Sequence, residues 1–135
     1  MANWYGSSRS NYFCVKDQEA FLQWAESRGL GVFRSENNPG HFAIHSRDND
    51  SGSWPSYDLE ADTEIDLATE LAGHLPKGQI AVLMEIGAEK LRYLTGVAIA
   101  VNHKGRVEVV SLDDIYRKAA RTFRVQERGI TQAAS

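Results

Sequence analysis

The chain contains 135 residues, of which 42% are hydrophobic, 10% aromatic and 24% charged. This length and composition fit one folded domain with its own core and exclude a disordered protein. The formal net charge of −3 neither requires nor excludes a nucleic-acid partner, and no stretch is apolar enough to span a membrane. A single cysteine, Cys14, cannot form an internal disulfide, and no secretory signal is recognisable, so we expect a cytoplasmic protein.

The first part of the chain predicts an arm, a strand and a helix. Residues 1–10 are expected to form a loop or loose arm, because glycine and serine interrupt regular structure there. Residues 12–15 form a short apolar β run. Asp17 is a suitable N-cap for a helix that runs to about Ser27 and carries Trp24 on its apolar face.

The remaining elements alternate hairpins with helices. Further strands are predicted over 31–35, 41–46, 79–86, 91–102 and 106–111. A second helix is expected to start near Thr63, with Asp66 three residues later in a capping-box pattern. The third begins at Ser111 and runs to about Arg124. Strand 79–86 is almost continuously apolar, which is typical of a central strand.

This order of elements predicts an α+β fold with an antiparallel sheet. The first six elements have the ferredoxin-like β-α-β-β-α-β order, two further strands extend the sheet, and a C-terminal helix covers it. We expect one domain over residues 1–128 and a disordered tail over 129–135.

The strongest functional signal is the acidic segment, residues 48–70, which has eight acids and no Lys or Arg. It carries a formal charge of −8 against +5 on the rest of the chain, an asymmetry typical of a surface that meets a charged partner. Its carboxylates could occupy the place of nucleic-acid phosphates in a partner's basic groove. The simpler interpretation is a solvated loop with acids favoured at a helix N-terminus. The candidate partner-binding residues are Asp48, Asp50, Asp58, Glu60, Asp62, Glu64 and Asp66.

The last predicted helix carries the opposite charge in the arginine row, which consists of Arg117, Arg121, Arg124 and Arg128. At helical spacing the four side chains share one face and could hold phosphates or carboxylates. They could also be solvated, or pair with the acidic segment of the same or a neighbouring molecule. No aromatic residue interleaves the row, so we expect only weak, nonspecific binding to nucleic acid.

No catalytic motif, metal-ligand pattern or phosphate-binding loop is present, so neither an enzyme nor a cofactor or metal site is expected. The nearest approach to an acid/base site is the polar hairpin cluster, which consists of Glu85, Glu89, Lys90, Arg92 and Tyr93. A structural group of ion pairs is the simpler interpretation of that cluster.

Four stretches of sequence, 8–13, 15–17, 87–93 and 111–116, together resemble small single-domain proteins of bacterial plasmids, prophages and other mobile elements. The resemblance covers about residues 3–120 and transfers no catalytic residue. It implies an accessory role, and some such accessory proteins block host restriction or CRISPR nucleases. The acidic segment favours a non-enzymatic factor that binds a protein with a basic surface, and the resemblance implies that this factor inhibits a host defence nuclease complex. The alternative is a small nucleic-acid-binding or regulatory protein that uses the arginine row.

Overall fold

The computed structural model describes residues 4–48 and 51–134, which form an α+β fold with a mostly antiparallel sheet. The strands are β1 (Trp4–Ser10), β2 (Phe13–Cys14), β3 (Leu30–Arg34), β4 (His41–Ser46), β5 (Tyr57–Asp58), β6 (Thr63–Glu64), β7 (Ile80–Glu89), β8 (Tyr93–Asn102) and β9 (Val107–Ser111). The helices are α1 (Gln18–Ser27), α2 (Leu67–Ala72) and α3 (Asp114–Phe123), and a 3-10 turn follows at Glu127–Gly129. No helix among the described residues is long and apolar enough to cross a membrane.

Seven strands form the main sheet. Its path is β2-β4-β1-β7-β8-β9, with β3 paired to the other side of β4. Strands β7, β8 and β9 form the predicted meander, and β3 with β4 forms the predicted hairpin. Strands β5 and β6 make a separate two-stranded ribbon within the acidic segment.

The prediction of a loose arm over residues 1–10 is wrong, because residues 4–10 form β1 near the middle of the sheet. All seven residues of β1 pair with β7. Its small residues are required by close neighbours: a Cβ on Gly6 would lie 2.1 Å from the Ser51 carbonyl oxygen. Ser10 Oγ accepts the Ile44 N–H at 2.8 Å. The glycine and serines therefore let β1 fit between other segments and do not break the strand.

The ferredoxin-like order is not confirmed. The additional strand β1 lies between β4 and β7, and all strand pairs among the described residues are antiparallel. A ferredoxin-like sheet instead contains parallel pairs made by β-α-β crossovers.

Helix α1 agrees closely with the sequence, whereas α2 starts later than predicted. Asp17 caps α1 by accepting the Ala20 N–H at 3.1 Å. For α2 the cap is Asp66, which accepts the Thr69 N–H at 3.2 Å. Thr63 is not a cap, because it lies in β6 opposite Asp58.

One face of the sheet carries the core. Phe21 and Ala25 of α1, together with Leu71 and Ala72 of α2, pack on strand residues such as Leu83. Strand register places alternate residues of β7 on opposite faces, so only half of this apolar strand contacts the helices. The prediction of a central strand is confirmed, because β7 lies between β1 and β8.

Candidate functional site

The uncovered side of the sheet, here called the open face, carries a broad group of exposed apolar side chains. Register through β1, β7, β8 and β9 places these residues on the same side. Each of the largest is more than half exposed, including Tyr5 at 76% and Ile86 at 62%. The set consists of Tyr5, Ile80, Met84, Ile86, Leu94 and Val110. Adjacent exposed apolar groups of this number are characteristic of a surface that docks another molecule.

A cleft lies within the open face where β1 and β4 separate. Among the described residues, these strands pair only at Arg9 and His45. The cleft beyond this point has a volume of about 620 Å³. Its lining includes Ser7, Arg9, Phe33, His45, Met84 and Ile86. Apolar side chains form much of the wall, while the small Ser7 side chain leaves room above β1.

Aromatic and cationic side chains hold one wall of the cleft in place. The Arg9 guanidinium lies 5.4 Å from the Phe33 ring centroid and 5.7 Å from that of Tyr12. The Phe33 and His45 rings are 4.6 Å apart. Gly31 makes room for this ring pair, because a Cβ there would lie 2.0 Å from His45 Nε2. These contacts give the cleft a wall that exists before any ligand arrives.

The acidic segment is held to the helices by one cation, Arg28. Its Nε and Nη2 atoms donate to the two carboxylate oxygens of Glu70 at 2.8 and 2.9 Å. Its Nη1 atom donates to Asp58 Oδ2 at 3.1 Å. Glu70 also accepts from Trp24 Nε1 at 2.9 Å. This arrangement joins α1, α2 and the β5–β6 ribbon, so two acids of the segment serve the fold.

These contacts change the acidity of the groups involved. The hydrogen bond from Arg28 is the largest influence that holds the pKa of Glu70 below its ordinary value. The Ala61 N–H, followed by Arg28, lowers the pKa of Asp58. The Glu70 carboxylate in turn raises the pKa of Arg28. All three groups are therefore charged near neutral pH, as a bidentate carboxylate–guanidinium contact requires.

Most other described acids of the segment also have local partners. Asp48 accepts from Ser51, and Asp66 caps α2. Asp62 accepts the Tyr57 hydroxyl, which raises the pKa of Tyr57. Asp50 lies outside the described residues. The side chains of Glu60 and Glu64 are exposed and make no hydrogen bond or ion pair with the described residues. They are the acids that the fold leaves available for a partner.

The arginine row does not lie on one continuous helix. Helix α3 ends at Phe123, and Arg124 follows in the left-handed conformation, with φ of 56°. Arg128 lies in the 3-10 turn and donates to Gln126. Only Arg117 and Arg121 occupy α3, and Arg117 pairs with Asp114 at 3.3 Å. The four guanidinium groups therefore do not share a single helix face.

The polar hairpin cluster separates into two unrelated parts. Glu85 points to the core side and accepts the Trp54 N–H at 2.9 Å. Glu89 and Arg92 form a largely exposed ion pair at 3.9 Å, and Arg92 lies over the Tyr93 ring. Among the described residues, no three His, Cys, Asp or Glu side chains are arranged to hold a metal ion.

Sequence reasoning missed the open face, although the sequence contains a signal for it. Tyr5, Ser7 and Arg9 are exposed at alternate positions of β1, which was predicted as an arm. Because β1 was not predicted as a strand, the sequence did not show which face of β7 is left uncovered by the helices.

Comparison with protein-family models, curated proteins and solved structures found no match.

Proposed function

We propose that this protein is a non-enzymatic factor that acts by binding another protein through the open face. The observation that supports this most directly is the group of exposed apolar side chains around the cleft. Desolvation of such side chains supplies most of the favourable free energy in protein association. A partner that inserts apolar side chains between Met84 and Phe33 would use the cleft as formed.

The acidic segment has a second role in this proposal. Glu60 and Glu64 have no described partner and extend a strongly negative part of the surface. They favour encounter with a protein that carries basic groups, because opposite potentials accelerate association. The other described acids of the segment already contact groups of this chain. They therefore contribute to partner binding through the negative potential of the segment.

We place this binding activity in the cytoplasm of bacteria, as an accessory function of a mobile element. The resemblance to plasmid and prophage proteins supports that setting. In its most specific form the proposal is inhibition of a host defence nuclease complex, whose nucleic-acid channel offers the basic surface required. Binding of nucleic acid by the arginine row is less well supported, because the row is divided between α3 and the residues beyond it.

Cleavage assays test the inhibitory form of the proposal. Purified bacterial restriction and RNA-guided nuclease complexes would be incubated with the protein before DNA is added. We expect inhibition of at least one complex, and weaker inhibition by a Glu60→Gln/Glu64→Gln variant, most clearly at low salt. The matched variant Glu26→Gln changes another exposed carboxylate and should inhibit normally. Undiminished cleavage across the whole panel would reject the nuclease-inhibitor assignment.

A further inference from the structure

Arg9 is a cation of the cleft that has no carboxylate partner among the described residues. It lies on the open face and lines the cleft. Its Nε–H group donates to the Ser10 carbonyl at 3.1 Å, whereas its two Nη atoms make no hydrogen bond or ion pair with the described part of the chain. Most of its N–H donors are therefore available to a ligand. The described arginines that do pair with a carboxylate of this chain are Arg28, Arg47, Arg92 and Arg117.

Ring contacts position the Arg9 guanidinium before a ligand binds. Its Cζ atom lies 5.7 Å from the Tyr12 ring centroid and 5.4 Å from that of Phe33. These contacts restrict a long side chain, so less conformational entropy is lost when its N–H groups bind a ligand. A planar guanidinium matches the two oxygens of a carboxylate, as the contact between Arg28 and Glu70 in this molecule illustrates. Arg9 is therefore suited to bind a carboxylate in the same way.

The surroundings of Arg9 favour a carboxylate that has an apolar group beside it. Arg9 lies directly opposite Met84 in the β1–β7 ladder, and Ile86 follows on the same face of β7. These two apolar side chains are 55% and 62% exposed, so an apolar group of a ligand would remove them from water. Phosphate fits less well, because its higher charge is costly to desolvate beside apolar side chains. Asp48, the acid in the described lining, already accepts from Ser51 at 3.1 and 2.7 Å.

We propose that the segment of the partner that enters the cleft carries an acidic side chain next to a large apolar one. The carboxylate accepts hydrogen bonds from both Nη atoms of Arg9, and the apolar side chain packs on Met84 and Ile86. The docked partner excludes water from the carboxylate–guanidinium contact, which strengthens it. The partner's basic groups lie outside the cleft, where they avoid the like charge of Arg9 and can approach Glu60 and Glu64. This inference rests on the proposed function, since it specifies the group that docks on the open face.

Selection from a library of displayed random peptides tests which chemistry the cleft accepts. Each peptide is fused at its C-terminal end, so only a side chain can supply a carboxylate. Selection at about 0.3 M salt screens attraction between exposed charges. We expect the wild-type chain to enrich peptides with Asp or Glu close to a large apolar residue, and Arg9→Glu to enrich Lys or Arg in place of the acid. The control is Arg34→Glu, because Arg34 also stacks on a ring, Phe42 at 5.1 Å, but does not line the cleft; it should select like the wild type.

A double-mutant cycle then tests direct contact with Arg9. One enriched peptide and its counterpart with the acid replaced by the amide would be titrated, by fluorescence polarisation, against the wild-type and Arg9→Gln chains. Loss of the carboxylate should weaken binding to the wild type at least about fivefold and leave binding to Arg9→Gln nearly unchanged. Equal weakening for both chains, or enrichment of no peptide, would overturn the proposal. Enrichment of acid-free apolar peptides that no longer bind Ile86→Asp would reject the carboxylate alone, whereas selected peptides that bind Ile86→Asp normally would also contradict docking on the open face.

Discussion

At the residue scale, Arg28 shows how a charge pattern can have a structural cause. Its guanidinium contacts both oxygens of Glu70 and one oxygen of Asp58, and each of the three side chains is less than one-third exposed. Partly buried, bidentate contacts contribute more to stability than exposed ion pairs do. The high density of acids in the sequence therefore reflects in part the need to surround this cation.

We predict that Arg28→Met lowers the free energy of unfolding by about 2–3 kcal/mol, because it leaves Glu70 and Asp58 without their cation. Urea denaturation measures the loss. The control is Arg47→Met, which breaks an exposed 3.6 Å contact with Glu26 and should cost less than about 0.5 kcal/mol. Equal losses of stability in the two variants would show that the Arg28 contacts stabilise the protein no more than an exposed ion pair does.

A second residue-scale prediction concerns His74, whose ring lies 5.2 Å from Trp24. Burial, and then the charge of Lys16, lower the pKa of His74 from its ordinary value of 6.5, against opposing effects of Asp17 and Glu70. The folded protein therefore binds this proton less readily than the unfolded chain does. The stability that His74 contributes is present above the unfolded pKa and is lost as the pH falls through it toward the folded value.

We therefore expect the thermal midpoint to decrease between about pH 7 and pH 5. The variant His74→Gln should flatten this part of the profile, whereas His103→Gln, in the β8–β9 turn, should not. Calorimetry in buffers of matched ionic strength provides the comparison. A His74→Gln profile parallel to that of the wild-type protein would assign the pH dependence to other groups.

At the scale of elements, local rules succeeded where the local sequence alone decides the structure. Asp17 caps α1 as predicted, because its side chain reaches a backbone N–H within the same turn. Thr63 fitted a capping pattern equally well, yet it pairs with Asp58 in the β5–β6 ribbon. That ribbon depends on residues distant from the α2 sequence, so local reasoning could not choose between Thr63 and Asp66.

The cap of α2 has a measurable consequence. Asp66→Ala should destabilise the protein by about 1 kcal/mol, because it leaves the Thr69 N–H without its acceptor. Thr63→Ala should cost less than about half as much, because its side chain caps no helix. Guanidinium denaturation of both variants measures the difference. A larger loss of stability for Thr63→Ala than for Asp66→Ala would instead support the predicted helix start near Thr63.

Strand β1 accounts for most of what the sequence did not reveal about the candidate site. Its glycine and serines are typical of a loop, and their structural role appears only when Ser51 and Ile44 lie against them. The placement of β1 in turn determines which side of β7 is exposed. The α+β class, the meander and the β3–β4 hairpin were predictable because their turns and apolar patterns are local.

At the scale of the whole molecule, the sheet separates apolar residues that pack in the core from apolar residues that are exposed. Helices α1 and α2 bury one face, while the open face retains Tyr5, Met84 and Ile86 in contact with solvent.

Quantitative affinity capture with matched variants tests whether a protein partner docks on the open face. Ile86→Asp places a charge in the lining of the cleft, whereas Val125→Asp changes another apolar side chain, 53% exposed, that follows α3. Both sites are exposed, so the thermal midpoints should stay close to wild type. A genuine partner should co-purify at fixed stoichiometry with the wild-type and Val125→Asp proteins, reassociate from purified components, and bind Ile86→Asp at least about tenfold more weakly. Equal affinity of the Ile86→Asp and wild-type proteins for that partner would contradict docking on the open face.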